Sequence, residues 1–94
     1  MAYMMRQAYQ KVIREMDRVG QVNRAETRYL YLYEHKIASK HHEFPLQDVF
    51  DISFKKMLHD EAMLFLHTNH GVYSYHVLSS PTTFIEKCKE YINK

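Results

Sequence analysis

The sequence predicts a single α+β domain over residues 1–94, a strongly bent antiparallel meander of about five strands with a helix at each end. Three observations lead to this prediction. Apolar residues recur at steps of three and four over residues 3–19, which is typical of an amphipathic helix. The same spacing returns over residues 81–92. Between them, residues 27–77 contain stretches in which apolar and polar side chains alternate, which is the period of a strand.

The N-terminal helix is predicted from the segment YMMRQAYQKVIREMDRV. Met5, Val12 and Met16 lie on one helical stripe, and Gly20 then ends the helix. A short amphipathic helix is marginal by itself in water, so this stripe has to be buried against another surface. The sequence leaves open whether that surface is the chain's own sheet or a second copy.

The predicted sheet begins at Thr27 in a segment rich in tyrosine, TRYLYLYEHKIASKHHEF. A turn at Glu34 and His35 folds Ile37 back opposite Leu32, so the leucines and Ile37 share the core face. The opposite face is then aromatic and basic. Its members are Tyr29, Tyr31, Lys36, Ala38, Lys40 and His42.

The remaining predicted elements are a strand after Pro45, a hairpin with strands near 62–68 and 72–77, and a helix that begins after Ser80 with Pro81 in its first turn. The residues predicted to be buried are the apolar ones on the inward parity of each strand or on the inward stripe of the C-terminal helix. They are Leu30, Leu32, Ile37, Leu46, Phe50, Ile52, Phe54, Leu64, Leu66, Phe84, Ile85 and Cys88.

Three histidines lie in the predicted hairpin, LFLHTNHGVYSYHV. A three-residue loop of Asn69, His70 and Gly71 is favoured, and it places His67 and His76 on opposite faces. A turn tighter by one residue places both on one face, but roughly 13 Å apart along the strand. Because zinc-to-nitrogen distances are about 2 Å, neither register builds a metal site, and we expect no metal and no cofactor.

Catalytic motifs are missing from the sequence. It contains no glycine-rich phosphate loop, no strained serine elbow and no Cys-X-X-Cys pair. The single cysteine, Cys88, lies on the inward stripe of the C-terminal helix, so we expect a small buried hydrophobe rather than a nucleophile. The sequence therefore predicts a protein that is not an enzyme.

Charge and targeting signals narrow the expected location and partners. Thirteen Lys and Arg against eleven Asp and Glu give a net charge of +2, which is low for a dedicated nucleic-acid binder. The segment MAYMMRQAYQ lacks the features of a signal peptide, and no apolar run has the length of a membrane span. A single cysteine also fits a reducing compartment. We expect a cytoplasmic protein without a membrane span.

The order of segments RYLYLY, KIASKH, PLQDVFDISF, MLFLHTNHGVYSYHV and PTTFIEKCKEYI, over residues 28–92, resembles bacterial pleckstrin-homology-like domains and the related GRAM type. The resemblance implies a half barrel closed by the C-terminal helix, in a non-catalytic scaffold whose members bind proteins, peptides or lipids. Two features depart from the family. The first 20 residues look helical where the family has strands, and no basic cluster matches the family's inositol-phosphate site. Lipid headgroup binding is therefore not implied.

The function expected from the sequence is a binding module that contacts a protein partner or a second copy of itself. The candidate contact residues are Tyr29, Tyr31, Lys36, Lys40 and His42 on the sheet face, and Met5, Val12 and Met16 on the N-terminal stripe. The alternative is single-stranded nucleic-acid binding, in which tyrosines of the sheet face stack on bases and lysines track phosphates. No small-molecule substrate is evident.

Overall fold

The computed structural model describes residues 3–92, and in this range the chain forms a seven-stranded antiparallel sheet followed by one α-helix. A short 3-10 helix, Leu46–Asp48, precedes the fifth strand. The strand order across the sheet is β4-β3-β2-β1-β7-β6-β5. The elements are β1 (Met5–Asp17), β2 (Gly20–Leu32), β3 (Lys36–Ala38), β4 (Glu43–Pro45), β5 (Val49–Lys56), β6 (Ala62–Thr68), β7 (Gly71–Val77) and α1 (Thr82–Ile92).

The predicted N-terminal helix over residues 3–19 is wrong, because this segment is β1 and pairs with β2 from one end to the other. The segment also satisfies a period of two, with Tyr9 and Ile13 on one parity, and as a strand it buries Tyr9 to 6% exposure. A helix here would be marginal without a docking surface, whereas β2 offers a continuous hydrogen-bonding partner. Gly20, with φ +127°, serves the turn of a hairpin instead of ending a helix.

The sheet has seven strands instead of about five for two reasons. The N-terminal segment adds β1, and the predicted second strand divides into β3 and β4, where the backbone N–H of Ser39 donates to the carbonyl of His42 at 2.8 Å. In addition, β2 starts at Gly20 instead of Thr27. The predicted pairing of Leu32 with Ile37 is confirmed.

The C-terminal helix predicted over residues 81–92 is confirmed as α1. It packs on the core side of the sheet with Phe84 at 1% exposure and Cys88 at 0%. Burial of apolar area on this face is the main stabilising contribution to the fold. The core consists of Tyr9, Leu30, Leu32, Ile37, Phe44, Val49, Ile52, Ala62, Leu64, Leu66, Val77, Phe84, Ile85 and Cys88.

Three of the twelve residues predicted to be buried are not. Phe50 is 65% exposed and Phe54 is 40% exposed, while Leu46 lies in the 3-10 helix and is half-buried. An irregularity in the pairing between Val49 and Asp51 shifts the register, so Val49 takes the inward position and Phe50 is turned outward. Alternation along the sequence therefore predicts the wrong inward-facing residue where a bulge interrupts the strand.

The distal half of the first hairpin projects from the sheet, and we call residues 11–25 the arm. Within the described residues, β1 pairs with β7 at one position only, Gln10 with His76, and β2 pairs with β3 only near its end. The molecule measures 52 × 28 × 26 Å, in keeping with a strand of thirteen residues that spans about 43 Å. The arm exposes large apolar side chains: Val12 (55%), Met16 (79%), Val19 (92%) and Val22 (42%).

Candidate functional site: a tyrosine face and a cationic cleft

Four tyrosines form a continuous surface on the side of the sheet opposite the core. Because the leucines of β2 point into the core, the alternating Tyr29, Tyr31 and Tyr33 point outward. Ring centroids of Tyr29 and Tyr31 lie 6.1 Å apart, and those of Tyr31 and Tyr33 lie 6.5 Å apart. Tyr3 packs on Tyr31 at 4.8 Å. We call these four residues the tyrosine face.

Two cations lie over the ends of the tyrosine face. Arg6 Cζ is 4.6 Å from the ring centroid of Tyr29, and Lys36 Nζ is 5.3 Å from that of Tyr33. Lys36 also forms an ion pair with Glu43, and the hydrogen bond to that carboxylate raises the pKa of Lys36. Cation–π contacts hold both cations against the rings without removing their charge from the surface. The surface therefore combines apolar rings, hydroxyl groups, the positive charge of Arg6 and the Lys36–Glu43 ion pair.

The structure brings together three of the five sheet residues predicted to bind a partner, Tyr29, Tyr31 and Lys36. Lys40 lies beside this surface, with Nζ 3.4 Å from a carboxylate oxygen of Glu26. Of the predicted residues on the N-terminal stripe, Val12 and Met16 are exposed on the arm, whereas Met5 packs against the core.

His42 lies on the other side of the sheet from the tyrosine face. Its ring stacks on Phe44, with centroids 5.9 Å apart and an interplanar angle of 15°, and lies 5.9 Å from Tyr73. The prediction extended strand alternation to His42, but β3 ends at Ala38 and the chain then turns. Beyond a strand end, parity no longer decides where a side chain points.

A cleft of about 220 Å³ opens on the core side of the sheet, beside the single position at which β1 pairs with β7 in the described residues. Its described lining carries one lysine, one arginine, two histidines, one amide and several hydroxyl groups, and no carboxylate. We call it the cationic cleft. It is lined by Tyr9, Gln10, Lys11, Arg28, Ser39, His41, His42, Tyr73 and Tyr75.

Arg28 is the central cation of the cleft. Its side chain is 14% exposed, and Nη2 forms an ion pair with Glu26 at 3.1 Å. The hydrogen bond from Arg28 holds the pKa of Glu26 below its usual value. Nε of Arg28 is buried without a hydrogen-bond partner in the described part of the chain. A buried donor without an acceptor is costly, and an acceptor from a ligand would remove that cost.

Tyr75 contributes a protonated hydroxyl to the cleft. Burial raises the pKa of Tyr75 to about 12, and a hydrogen bond with Ser39 opposes this effect. The ring also packs edge-on against Tyr9 at 4.8 Å. The hydroxyl is therefore a neutral donor at physiological pH.

Sequence reasoning did not find this cleft. A helix over residues 3–19 gives no reason to bring Lys11 near Arg28, whereas the strand pairing of Tyr9 with Arg28 brings both cations to the same opening. His41 reaches it only through the connection between β3 and β4. The usable signal was the spacing of Tyr9 and Lys11, which are two residues apart and therefore share a face if the first segment is a strand.

The register of the β6–β7 hairpin differs from the favoured prediction. Thr68 pairs with Gly71 and His67 pairs with Val72, which is the tighter of the two registers considered. Gly71 has φ +124°, as expected for the glycine of this turn. Because paired residues share a face, His67 and His76 lie on the same side of the hairpin and not on opposite sides.

Each of these two histidines has its own partner. His67 Nε2 lies 2.9 Å from the hydroxyl of Ser53, and His76 Nε2 lies 2.8 Å from a carboxylate oxygen of Glu61. Among the side chains that the structure describes, no three of His, Cys, Asp or Glu are grouped as ligands for a metal ion. The histidines contribute to pairing within the sheet.

Cys88 is fully buried on α1, as predicted. Burial raises the pKa of the Cys88 thiol to about 12. The thiol is therefore neutral at physiological pH, and a neutral thiol is a poor nucleophile.

Comparison with protein-family models, with curated proteins and with solved structures finds no significant match for this chain. In the part of the chain that the structure describes, no helix has both the length and the apolar character that crossing a membrane requires.

Proposed function

We propose that this chain is a non-catalytic, cytoplasmic binding module and that the tyrosine face contacts a protein partner. The observation that carries the proposal is the tyrosine face itself, with Arg6 fixed over Tyr29 at 4.6 Å. Tyrosine and arginine are enriched at the centres of protein interfaces because they bury large areas and retain hydrogen-bonding groups. Rings that already pack on one another lose little side-chain entropy when a partner binds.

We also propose that the fold is of the pleckstrin-homology-like type that the segment order resembles. The antiparallel strand order and the closing helix α1 support this proposal. So does β1, because it supplies an opening strand where the sequence had predicted a helix. Such scaffolds carry varied binding sites, so the fold by itself names no ligand.

The experiment that tests the protein-binding proposal uses a photoreactive amino acid at position 31 in the full chain. Irradiation in native cytosol should give a discrete protein adduct, and Arg6→Ala should reduce its yield. The matched control places the same group at Val72, which is 59% exposed on another part of the sheet. Equal labelling from both positions, or none from position 31, would contradict the proposal.

The nucleic-acid alternative is an outcome of a parallel measurement on the same surface. A single-stranded oligonucleotide is titrated at low salt into the wild type and into Tyr31→Ala. Binding that falls with salt and is lost in the variant would assign the tyrosine face to base stacking and replace the protein-partner proposal. Binding that Tyr31→Ala leaves unchanged does not involve this face.

A second candidate function is the binding of a small anionic group in the cationic cleft. The specific observation is the buried Nε of Arg28, which lacks an acceptor in a cleft lined by Lys11, histidines and tyrosine hydroxyls. Phosphate and carboxylate oxygens are the acceptors that arginine binds best, since charge-assisted hydrogen bonds are the strong ones.

Titration with inorganic phosphate, followed by the arginine side-chain N–H resonances, tests the cleft. The Arg28 Nε–H signal should shift, and Lys11→Gln should weaken the apparent affinity. Arg6→Gln, on the opposite side of the sheet, is the control and should leave the titration unchanged. If Lys11→Gln and Arg6→Gln lower the apparent affinity for phosphate equally, the binding is nonspecific attraction between charges and not binding in the cleft.

A further inference from the structure

We propose that the open edge of β2, at the base of the arm, is a dimerisation element that pairs edge to edge with β2 of a second copy of this chain. The paired segment is Val22 to Arg28 in antiparallel orientation, with Ala25 on the twofold axis. This interface is separate from the tyrosine face and borders the cationic cleft at one end, where Glu26 and Arg28 form an ion pair.

The first support is the open edge of β2. One side of this strand is paired with β1 along its whole length, whereas the other side pairs with β3 only at Tyr31 and Leu32. Over residues 20–30, the backbone N–H and C=O groups of that side have no strand opposite them in the described structure. An open strand edge is a template for pairing with another chain.

The second support is the order of charges along this edge, which selects the occupant. Arg24 and Glu26 flank Ala25 on β2. When two copies pair antiparallel about Ala25, each Arg24 lies opposite Glu26 of the other copy, which makes two opposite-charge pairs. Moving the axis to Arg24 or to Glu26 places two like charges opposite each other. An axis at Thr27 opposes Glu26 and Arg28, which already form an ion pair within each chain. The register about Ala25 is therefore the one in which the charge of Arg24 finds a complementary partner in a second copy.

The third support is the steric fit of the side chains that face each other across the proposed interface. Ala25 is exposed, and its small side chain admits a close approach at the axis. In the proposed register Asn23 lies opposite Thr27, and Val22, which is 42% exposed, lies against the aliphatic part of Arg28. The paired segment ends at Arg28, before the residues that pair with β3. The interface is isologous, so it closes as a dimer and does not extend into a fibre.

Charge reversal tests the proposal in the full chain. Arg24→Glu and Glu26→Arg should each weaken self-association by about tenfold or more, because two attractive pairs become repulsive. An equimolar mixture of these two variants should restore the dimer, since each then faces the opposite charge. Sedimentation across a concentration series measures all three samples. Tyr31→Ala, which changes the tyrosine face only, should leave self-association unchanged.

A cross-link reports the register. Ala25→Cys should form an intermolecular disulfide on mild oxidation, because residues directly opposite in a sheet have Cα atoms about 5 Å apart. Asn23→Cys is the matched control, since its two copies would be separated by roughly 13 Å along the strands. Cys88 stays in place in both variants because it is buried. Circular dichroism confirms that each variant is folded.

Three results would overturn the proposal: a wild-type chain that remains monomeric at millimolar concentration, a mixture of reversed variants that does not associate, or equal cross-linking of Ala25→Cys and Asn23→Cys. A dimer that Arg24→Glu leaves unchanged would also overturn it, because the interface would then lie elsewhere.

Discussion

Alkaline pH should destabilise this fold through Cys88. The side chain is 0% exposed under α1, and burial raises the pKa of the thiol from 9.0 to about 12. In the unfolded chain the thiol ionises from pH 9.0 upward, whereas in the folded chain it stays neutral. The contribution of the neutral thiol is therefore complete below pH 9 and is lost as the pH rises towards 12. At 1.36 kcal/mol per unit, the free energy of unfolding falls by about 2 kcal/mol at pH 10.5 and about 4 kcal/mol at pH 12.

The assay is urea unfolding of the wild type and of Cys88→Ala at pH 8 and pH 10.5, followed by far-ultraviolet circular dichroism. Burial also raises the pKa of Tyr75 to about 12, but Tyr75 titrates in both proteins, so the difference between them isolates the thiol. Cys88→Ala loses packing at both pH values. Its stability should nevertheless fall by about 2 kcal/mol less than that of the wild type between the two pH values. Equal losses in the two proteins would refute the reasoning.

Three further predictions concern the sheet and its core. Phe84→Ala should destabilise the fold by about 3–5 kcal/mol and Phe50→Ala by no more than about 0.5 kcal/mol in urea unfolding, because the first ring is 1% exposed and the second 65%. Similar losses of stability in the two variants would contradict the outward position of Phe50. Gly71→Ala should lower the free energy of unfolding by about 1–2 kcal/mol in the same assay. A Cβ at this position meets nothing within 4 Å, so the loss comes from the backbone φ of +124° alone. An unchanged urea midpoint would contradict this prediction. Since the hydrogen bond from Arg28 lowers the pKa of Glu26 below 4.5, the stability due to this pair is present above pH 4.5 and is lost as the pH falls through the lowered value. In thermal unfolding, the melting temperature of the wild type should be higher than that of Glu26→Gln at pH 7 but not at pH 2. A difference in melting temperature that persists at pH 2 would contradict the contribution of this ion pair.

The elements with the most accurate sequence predictions are those in which one local signal is sufficient. Pro81 near the start and the inward stripe of Phe84, Ile85 and Cys88 define α1 within one residue. Tyr29 and Tyr31 of the tyrosine face were also placed on one side of the sheet, because the alternation in RYLYLY is typical of a strand. Tyr3 and Arg6, which complete this surface, were not predicted. The features that were predicted depend on neighbours in the sequence.

The cationic cleft and the arm could not be found in this way. The first segment satisfies both the helical and the strand period, and only its pairing with β2 selects the strand. That choice exposes Val12 and Met16, brings Lys11 to Arg28, and leaves the edge of β2 open. Each of these placements follows from a contact between residues distant in sequence.

The sequence by itself determined the identity of α1, the alternation of β2 and the burial of Cys88, because hydrophobic periodicity and turn residues act over a few positions. The tertiary structure decided the conformation of the first segment, the register of the β6–β7 hairpin and the sides of the sheet on which His42 and Phe50 lie. Free energies of competing local conformations differ by amounts comparable to a single hydrogen bond. Pairing with a distant strand therefore outweighs local preference, and sequence periodicity alone does not reveal which strand is available.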